Sequence, residues 1–269
     1  MRPAEQLPAD FAAAFAAVED RLSPLGRRVV FFETVGSTND AALGLASEPD
    51  AEGTIVIAGA QTAGRGRYGR TWFSPPESGL YVSVVLRPGA ARREPDRAVG
   101  LLTLAAGVAL AEGIEALTRL RVDIKWPNDL MIRSRKLAGI LAETARSDGS
   151  TVVLGYGINV GANTFPSELG DRPTSIAAEL GRPMDRASLC AETIAALARR
   201  YEDLLTGRFD AILDSWRRRA PTSRGAHVTW SGPAGRLHGI TAGIDDRGAL
   251  IIQTAHRTER IVGGELNWD

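Results

Sequence analysis

The sequence predicts a mixed α/β body of residues 1–220, followed by a small C-terminal β-barrel of residues 221–269. Three observations lead to this fold. Apolar, β-branched segments alternate with segments of helical periodicity in the first part of the chain, as in α/β proteins. A long apolar helical segment, residues 98–117, lies among them. From Gly225 onward, short alternating segments broken by Gly-Pro, Asp-Asp-Arg-Gly and Ala-His-Arg turns predict meandering strands.

Each element of the body rests on a local pattern. Apolar residues from Phe11 to Leu22 have the spacing of an amphipathic helix, with Asp10 as its N-cap. The residues Gly36-Ser37-Thr38-Asn39-Asp40 supply capping groups for a short helix at 41–46. Apolar runs predict body strands at 29–35, 54–60, 80–86, 123–126, 136–144 and 151–160. Further helices are expected at 175–180, 187–205 and 209–218, a polar, mobile loop at 161–173, and barrel strands at 226–230, 236–244, 249–254 and 258–262.

Composition excludes several classes of protein. Of 269 residues, 44% are hydrophobic and 24% charged, which is ordinary for a globular protein. The 32 basic and 32 acidic side chains cancel, so a strongly basic nucleic-acid-binding domain is not expected. Cys190 is the single cysteine, so we expect a buried helix residue rather than a member of a disulfide or of a thiolate metal site. The longest apolar stretch, residues 101–111, is shorter than the ~20 residues of a membrane span. We therefore expect a cytoplasmic protein with no membrane segment.

A glycine- and arginine-rich loop follows the second strand. Residues 64–69 match G-x-G-x-x-G, but no helix opens after them and no carboxylate follows at the distance of a dinucleotide site. We therefore reject a Rossmann interpretation. Arginines that alternate with glycines let the backbone approach an anion while guanidinium groups surround it. Trp72, just after the loop, offers a flat face for a purine. The alternative to an anion-binding loop is an ordinary solvated surface loop.

Lysine is rare in this chain. Only Lys125 and Lys136 occur, so 30 of the 32 basic residues (32 minus 2) are arginines. A lysine among so many arginines suggests a need for a compact point charge. Lys136 opens an apolar run in which Gly139 permits close packing of a ligand. A solvated hairpin over residues 133–136 is the alternative interpretation.

Amide and carboxylate groups cluster on a tight turn at Pro127-Asn128-Asp129. Asn and Asp suit turns for conformational reasons alone. Functionally, Asn128 offers a donor and an acceptor to an adenine edge, and Asp129 is a candidate Mg²⁺ ligand or proton acceptor. Asn159 ends a glycine-containing strand in a similar way. The body has no histidine and no evident nucleophile motif, so these residues favour a nucleotide-using transferase or ligase.

Taken together in order, these motifs resemble those of biotin–protein ligases. The matching blocks are Ser37-Thr38-Asn39, Gln61, Gly64-Arg65-Gly66-Arg67-Tyr68-Gly69-Arg70-Thr71-Trp72, Lys125-Trp126-Pro127-Asn128-Asp129, Lys136-Leu137-Ala138-Gly139-Ile140-Leu141 and Gly155-Tyr156-Gly157-Ile158-Asn159. The resemblance implies a body like that of class II aminoacyl-tRNA synthetases and an SH3-like C-terminal barrel. It also implies two reactions: ATP and Mg²⁺ convert biotin to biotinyl-5′-AMP, and biotin then passes to a lysine of a biotin carboxyl carrier domain of an acyl-CoA carboxylase.

The resemblance also implies roles for individual residues. Those expected at biotin are Ser37, Thr38, Asn39, Gln61, Gly64, Arg65, Gly66, Arg67, Lys136 and Gly139. Those expected at ATP and the adenylate are Arg67, Arg70, Trp72, Asn128, Lys136 and Asn159. Lys136, Arg67 and Asp129 are the expected catalytic residues, with Asp129 either a metal ligand or the acceptor of the carrier lysine's proton.

The chain departs from the longer members of this family at its start. About 28 residues precede the first expected strand, too few for the winged helix-turn-helix of the repressor-type members. A monofunctional ligase that does not bind DNA is therefore expected. Two alternatives stay open: a lipoate–protein ligase, and a biotin-binding regulator without ligase activity. The loops at 61–71 and 161–173 are expected to be mobile without ligand.

Overall fold

The computed structural model describes residues 6–145, 150–161, 165–170, 172–232 and 235–268. Its helices are α1 (Ala9–Ala16), α2 (Thr38–Leu45), α3 (Pro95–Thr118), α4 (Ile176–Leu180), α5 (Arg186–Leu205) and α6 (Phe209–Arg219). Its first seven strands are β1 (Arg28–Val35), β2 (Thr54–Gln61), β3 (Gly79–Leu86), β4 (Asp123–Lys125), β5 (Asp129–Ile132), β6 (Arg135–Thr144) and β7 (Val152–Asn159). The last five are β8 (Arg224–Gly232), β9 (Gly235–Ile244), β10 (Leu250–Gln253), β11 (Thr258–Ile261) and β12 (Glu265–Trp268).

The first seven strands form one mixed sheet in the order β1-β2-β3-β7-β6-β5-β4. β1 and β2 run parallel, joined through α2, and the other neighbours pair antiparallel. Strands β3 and β7 are buried along their whole length, because the sheet is covered on both faces. Helices α3 and α5 cover one face, and α2 covers the other beside Val85 and Val153. The second face is called the α2 face below.

Helix α3 is the central helix of the core. Among the described residues it is the one helix long and apolar enough to cross a membrane by length and composition, yet 72% of that apolar window is buried inside the protein. Its side chains Leu101, Val108 and Leu110 are fully buried in the main core. The helix is thus a core helix, as the sequence predicts, although it is longer than the predicted 98–117 segment.

An ion-pair cluster joins α3 to α5 and α6. Glu112 accepts hydrogen bonds from Arg199 Nη2 at 2.7 Å, Arg200 Nε at 3.0 Å and Ser215 Oγ at 3.2 Å. Burial acts to raise the pKa of Glu112, but the hydrogen bond and charge of Arg200, together with Arg199 and Arg219, outweigh it. Its pKa therefore lies below the ordinary value, and the carboxylate is charged at neutral pH.

The last five strands form a separate antiparallel sheet in the order β11-β10-β9-β8-β12, called the C-terminal sheet below. It packs against the body through specific groups. Trp126 Nε1 donates to Gly248 O at 3.0 Å, and Arg97 Nε donates to Asp246 O at 2.9 Å. The turn of residues 245–249 is therefore fixed to both α3 and the segment after β4.

The structure corrects several boundaries predicted from the sequence. Helix α1 is N-capped by Pro8, and Asp10 lies in its first turn, where a carboxylate complements the helix dipole. Helix α2 begins at Thr38 instead of residue 41, because extended Ser37 takes the N-cap position. Strands β5 and β12 were not predicted, and β5 begins at Asp129, inside the turn that the sequence analysis places at Pro127-Asn128-Asp129. The polar stretch 161–173 contains the turn Ser167–Leu169; residues 162–164 and 171 lie outside the described residues, so its expected mobility stays a prediction.

Candidate active site

The ammonium of Lys136 forms an ion pair with Asp129 Oδ1 at 2.6 Å. Asp129 begins β5 opposite Gly139, and a register shift after Leu130 brings Met131 opposite Lys136. The backbone of Lys136 is also held, since its N–H donates to Arg172 O at 2.7 Å and its carbonyl accepts from Thr174 N at 2.9 Å. A half-buried cation is thus fixed just before the apolar run 137–142 of β6, as the sequence predicts.

Trp72 lies across two glycines on the α2 face, beside this cation. Lys136 Nζ is 5.5 Å from the centroid of the Trp72 ring. A Cβ added at Gly157 would lie 2.5 Å from Trp72 Cε2, and one at Gly139 would lie 3.1 Å from Trp72 Cζ3. The glycines therefore let the indole lie against the strands, and the Trp72 Nε1 donor is buried without a hydrogen-bond partner among the described residues.

Arg65 lies between two carboxylates at the edge of the same face. Its Nη2 is 2.7 Å from Asp40 Oδ1 and 2.8 Å from Glu143 Oε2. Glu143 Oε2 also accepts from Asn39 Nδ2 at 2.6 Å. Because β6 alternates, Gly139 and Glu143 share the α2 face. The loop, α2 and β6 thus contribute one charged group each to a single cluster.

Below Arg65, a buried network of neutral polar groups continues into the sheet. Ser83 Oγ lies 2.6 Å from Asn39 Oδ1 and 2.8 Å from Thr38 Oγ1. Gln61 Oε1 accepts from Thr38 N at 2.8 Å, and Gln61 Nε2 donates to Ser74 Oγ at 2.9 Å. The network is neutral, rich in donors and acceptors, and suited to a polar ligand without charge.

Small residues make room for this network. A Cβ at Gly155 would overlap Asn39 Oδ1 and lie 2.8 Å from Asn39 Cγ. A Cβ at Gly64 would lie 2.6 Å from Ser74 Oγ and 3.0 Å from Gln61 Nε2. Ser37 is buried as the N-cap of α2, without a side-chain hydrogen bond to the helix. Gly66 is extended, and its N–H donates to Arg70 O at 2.7 Å.

Arg67 lies on the other side of Lys136, toward the C-terminal sheet. Its Nη1 donates to Asn128 Oδ1 at 3.2 Å, and its Nη2 donates to Tyr68 Oη at 3.0 Å. Arg67 and Asn128 line a cavity of about 390 Å³ whose far wall carries Arg247 and Arg260 of the C-terminal sheet. The cavity therefore has ample room for a purine base and carries several guanidinium groups.

The far wall of this cavity is shaped by Asp245. Burial acts to raise the pKa of this carboxyl, but the N–H groups of Ala249 and Arg247 and the Arg260 guanidinium outweigh it, so the pKa lies below its ordinary value. Each of the two backbone N–H groups donates to Asp245 Oδ1 at 2.9 Å. Asp245 thus holds the turn that brings Arg247 to the cavity.

Several predicted site residues meet, and others lie near them. Trp72, Lys136 and Asp129 meet on the α2 face, and Arg65 lies at Glu143 on the same face. Arg67 lies at Asn128, the residue before Asp129, and faces the C-terminal sheet. Lys125 lies apart, 5.2 Å from the centroid of the Trp268 ring. Burial lowers the pKa of Lys125 below its ordinary value, with the Asp129 charge opposing this shift and the Lys136 charge adding to it.

The two predicted adenine-binding amides are engaged with the protein in this structure. Asn128 Nδ2 donates to Ile140 O at 2.9 Å while its oxygen receives Arg67. Asn159 Nδ2 donates to Thr174 O at 2.9 Å and, more weakly, to Lys136 O at 3.4 Å. Asn159 therefore supports the backbone around Lys136, and its contact with adenine stays a prediction. Arg70 is exposed at the surface end of the loop.

Sequence reasoning missed several residues of the site. Glu143 and Ser83 touch predicted site residues but belonged to no predicted motif, and Asp40 was predicted only as part of the capping segment before α2. Two signals were present: Ser83 is a lone polar residue in an apolar strand, and Glu143 has the strand alternation of Gly139. Tyr68 lies in the arginine loop with no predicted role, yet it contacts both Arg67 and Gly264. Cys190 is buried in α5, as predicted, and burial raises the pKa of its thiol.

Acidic ligands for a metal are sparse. Within the described residues no group of three or more His, Cys, Asp or Glu side chains converges. Mg²⁺ is commonly held by one or two carboxylates together with substrate phosphates and water. Asp129 therefore suits a metal that arrives with a nucleotide, whose phosphates supply further ligands.

The geometry agrees with comparisons to known proteins. A model described as the biotin/lipoate A/B protein ligase family matches residues 31–162, and one described as the biotin protein ligase C terminal domain matches residues 225–266. The biotin–[acetyl-CoA-carboxylase] ligase of Mycobacterium tuberculosis is 35% identical over 237 residues, covering 86% of this chain and 85% of that protein. The chain belongs to the biotin/lipoate A/B protein ligase family. The matched region of this family member, residues 31–162, contains the Lys136, Arg65 and Arg67 clusters.

Other members of the family agree along most of the chain. The bifunctional ligase/repressor BirA of Bacillus subtilis is 35% identical over 246 residues, covering 90% of this chain and 74% of that protein. The biotin protein ligase of Aquifex aeolicus, solved in complex with biotin and ATP, superposes with a TM-score of 0.78 at 26% identity. The match covers 91% of this chain and 99% of the Aquifex chain. The mixed α/β body with its C-terminal sheet is thus the fold of biotin protein ligases.

Proposed function

We propose that this chain is a biotin–protein ligase, which activates biotin with ATP and transfers it to a lysine of a biotin carboxyl carrier domain. The observation that carries this function is the placement of Lys136, Arg65 and Arg67 along neighbouring strands, at Asp129, Glu143 and Asn128, with a neutral polar network beside Arg65. Such a site suits a ligand with a neutral polar head and a carboxylate tail, next to a polyphosphate. Biotin and ATP meet this description, and the named relatives include ligases that act on acetyl-CoA carboxylase.

The first reaction is displacement at phosphorus. A biotin carboxylate oxygen attacks the α-phosphorus of ATP, a new P–O bond forms, and the bond to the bridging oxygen of the β-phosphate breaks. Pyrophosphate leaves with the bonding electrons. Lys136 and Arg67 stabilise the negative charge that collects around the α-phosphate, which is where positioned cations act most strongly. Asp129 would be the carboxylate that holds Mg²⁺ arriving with ATP, and the ion would neutralise charge at the phosphates.

The second reaction is acyl transfer to an amine. The carrier lysine attacks the acyl carbon of biotinyl-5′-AMP, an amide C–N bond forms, and the C–O bond to AMP breaks. The amine has an ordinary pKa of about 10.4 and must lose a proton. Asp129 is the acidic side chain beside Lys136 and accepts this proton. An Asp129 that serves the nucleotide in one reaction is thereby available as a base in the next.

The polar network around Thr38 and Gln61 holds the head of biotin. A ureido group carries N–H donors and a carbonyl acceptor but no charge, which matches the neutral network. Arg65 closes this pocket when it leaves Asp40 and Glu143 for the ligand. The other residues on the biotin side act through helix capping, hydrogen bonds or close approach of the backbone; they are Ser37, Asn39, Gly64, Gly66 and Gly139. Trp72, Asn128, Asn159 and Arg70 complete the adenylate side.

We assign finer features on the same basis. The body of residues 1–220 has the class II aminoacyl-tRNA synthetase-like arrangement, and residues 221–269 form an SH3-like domain. The acceptor is the carrier domain of an acyl-CoA carboxylase in the cytoplasm. A lipoate–protein ligase is the alternative within the family. It is less suited, because the dithiolane ring of lipoate is apolar and offers no hydrogen-bond donor or acceptor to the polar groups around Thr38 and Gln61.

The test is pyrophosphate release from ATP with Mg²⁺ and either biotin or lipoate, with and without a carrier domain. We expect release with biotin and labelling of the carrier; turnover with lipoate alone would reverse the assignment. Lys136→Arg keeps the charge but not its position, and should slow adenylate formation about 100-fold. The matched control is Lys125→Arg at the other lysine, which faces Trp268. Biotin binding without pyrophosphate release or transfer would indicate a regulator without ligase activity.

A further inference from the structure

Tyr68 joins the arginine loop to the C-terminal sheet. Its phenolic oxygen accepts a hydrogen bond from Gly264 N at 2.9 Å, across 196 positions of sequence. The same oxygen accepts from Arg67 Nη2 at 3.0 Å. The Arg67 guanidinium carbon also lies 5.0 Å from the centroid of the Tyr68 ring. One side chain thus contacts both the catalytic arginine and the far sheet.

Ordinary packing does not account for this position. Tyr68 is 59% exposed, so the apolar core gains little from it. Its backbone is left-handed, with φ 57° and ψ 37°, a region that costs about 1 kcal/mol for a residue with a side chain. Strain in an exposed residue beside a catalytic group often has a functional reason. Here the left-handed turn directs the ring back over Arg67 and the hydroxyl toward Gly264.

The partner on the C-terminal sheet is itself rigid. Trp230 Nε1 donates to Gly263 O at 2.9 Å, which fixes the segment between β11 and β12. Gly264 has φ 111°, and a Cβ there would overlap the Trp230 indole. The Gly264 N–H is therefore presented at a fixed position, unlike a donor on a free loop.

Arg67 is consequently held at two points. Asn128 of the body receives Nη1, and Tyr68 receives Nη2. A guanidinium has several donors in a rigid plane, so two acceptors define its orientation. We propose that Tyr68 is a positioning residue through which the C-terminal sheet orients Arg67 for ATP. The proposal rests on the ligase function and assigns to the C-terminal sheet a role in the nucleotide half of that reaction.

The experiment compares Tyr68→Phe with the unaltered protein in biotin-dependent exchange of pyrophosphate into ATP. Phenylalanine keeps the ring over Arg67 and removes only the shared oxygen. We expect the KM for ATP to rise roughly 3- to 10-fold, the scale of one lost hydrogen bond to a charged group, with the KM for biotin unchanged. The matched control is Thr229→Val. It removes a surface hydroxyl of the C-terminal sheet that contacts His238.

A double-substitution cycle separates positioning from general stability. In an Arg67→Lys background the two-point contact is gone, so adding Tyr68→Phe should change the KM for ATP by less than about twofold. An equal effect in both backgrounds would overturn the proposal, as would Tyr68→Phe kinetics identical to those of the unaltered protein. Equal increases in the KM for ATP and biotin, together with a lowered Tm, would indicate a merely structural role.

Amide hydrogen exchange tests the contact independently of turnover. Tyr68→Phe should speed exchange in a peptide covering residues 258–268, because the Gly264 N–H loses its acceptor. Unchanged exchange there contradicts the proposal even in an active enzyme. Absence of biotin-dependent pyrophosphate exchange in the unaltered protein would instead overturn the ligase function. The two failures are therefore distinguishable.

Discussion

Trp72 lies so close to Gly157 that no side chain fits between the indole and strand β7. The Cβ of an alanine at position 157 would lie 2.5 Å from Trp72 Cε2 and 3.0 Å from Trp72 Cδ1. The indole in turn lies under Lys136, whose Nζ is 5.5 Å from its ring centroid. The position of the Lys136 ammonium is thus connected to the absence of a side chain on a neighbouring strand.

Gly157→Ala should therefore reduce adenylate formation more than Gly139→Ala does. At Gly139 the nearest indole atom, Cζ3, would be 3.1 Å away, a contact that a small shift relieves. Overpacking at Gly157 costs on the order of 1–3 kcal/mol and moves Trp72 from its place. Pyrophosphate exchange and Tm measured on both variants check this. Equal activities for the two would show that the indole position does not matter.

Ser83 should matter for biotin and not for ATP. Its buried hydroxyl lies 2.6 Å from Asn39 Oδ1, and Asn39 in turn donates to Glu143. Ser83→Ala leaves a buried acceptor unsatisfied, which costs about 1–3 kcal/mol and loosens the network under the predicted biotin head. We expect a higher KM for biotin at an unchanged KM for ATP.

A matched substitution controls for stability alone. Ser223 is also buried, and its hydroxyl donates to Ala220 O at 2.7 Å, away from the site. Ser223→Ala should lower Tm with both KM values unchanged. If Ser83→Ala behaves in the same way, the network has no part in biotin recognition.

The ion-pair cluster at Glu112 should give the protein a pH-dependent stability. A carboxyl with a folded-state pKa below its unfolded value stabilises the fold above the unfolded pKa of about 4.3, and this contribution is lost as the pH falls through the folded pKa. Glu112→Gln at pH 7 leaves Arg200, whose side chain is 13% exposed, with a weaker partner. We expect a loss of about 3 kcal/mol.

Urea unfolding of Glu112→Gln and the unaltered protein at pH 7 and at pH values below 4 checks this. The difference in the free energy of unfolding should shrink toward acid, because the native carboxylate becomes protonated. A difference that is the same at both pH values would show that the charge of Glu112 contributes nothing.

The local motifs were predictable because each is continuous in sequence. The strands β2, β3 and β7 are apolar runs, and the glycine–arginine loop and the Asn128–Asp129 turn carry their chemistry in neighbouring residues. The partners of these residues were not predictable in the same way. Arg65 meets Glu143 across 78 positions, and Asn39 meets Glu143 across 104. Such contacts depend on which strands become neighbours, and a single sequence does not determine that order.

Short strands were missed for a related reason. Strand β5 has four residues, and its identity follows from pairing with β4 and β6 on either side. That pairing brings Asp129 to Lys136, so the ion pair at the centre of the site rests on the element that was hardest to predict. The resemblance to ligases supplied the role of Asp129, and the strand register explains how it reaches its partner.

The role of Asp129 leads to the last prediction, which separates the two half-reactions. Its Oδ1 is 2.6 Å from Lys136 Nζ and its side chain is 27% exposed, so it can accept a proton from an incoming amine. Asp129→Asn should slow transfer to the carrier about 100-fold, the usual contribution of a positioned base. Pyrophosphate exchange should change much less.

The pH dependence of the variant then distinguishes a base from a metal ligand. Below an amine pKa of about 10.4, each unit of pH raises the fraction of uncharged carrier lysine about tenfold. Transfer by Asp129→Asn should therefore recover as the pH rises, while the unaltered enzyme shows a shallower increase. The control is Asp123→Asn, which alters a carboxylate of similar exposure that pairs with Arg121. A variant whose transfer stays slow at high pH, but whose exchange is restored by excess Mg²⁺, would identify Asp129 as a metal ligand instead of the base.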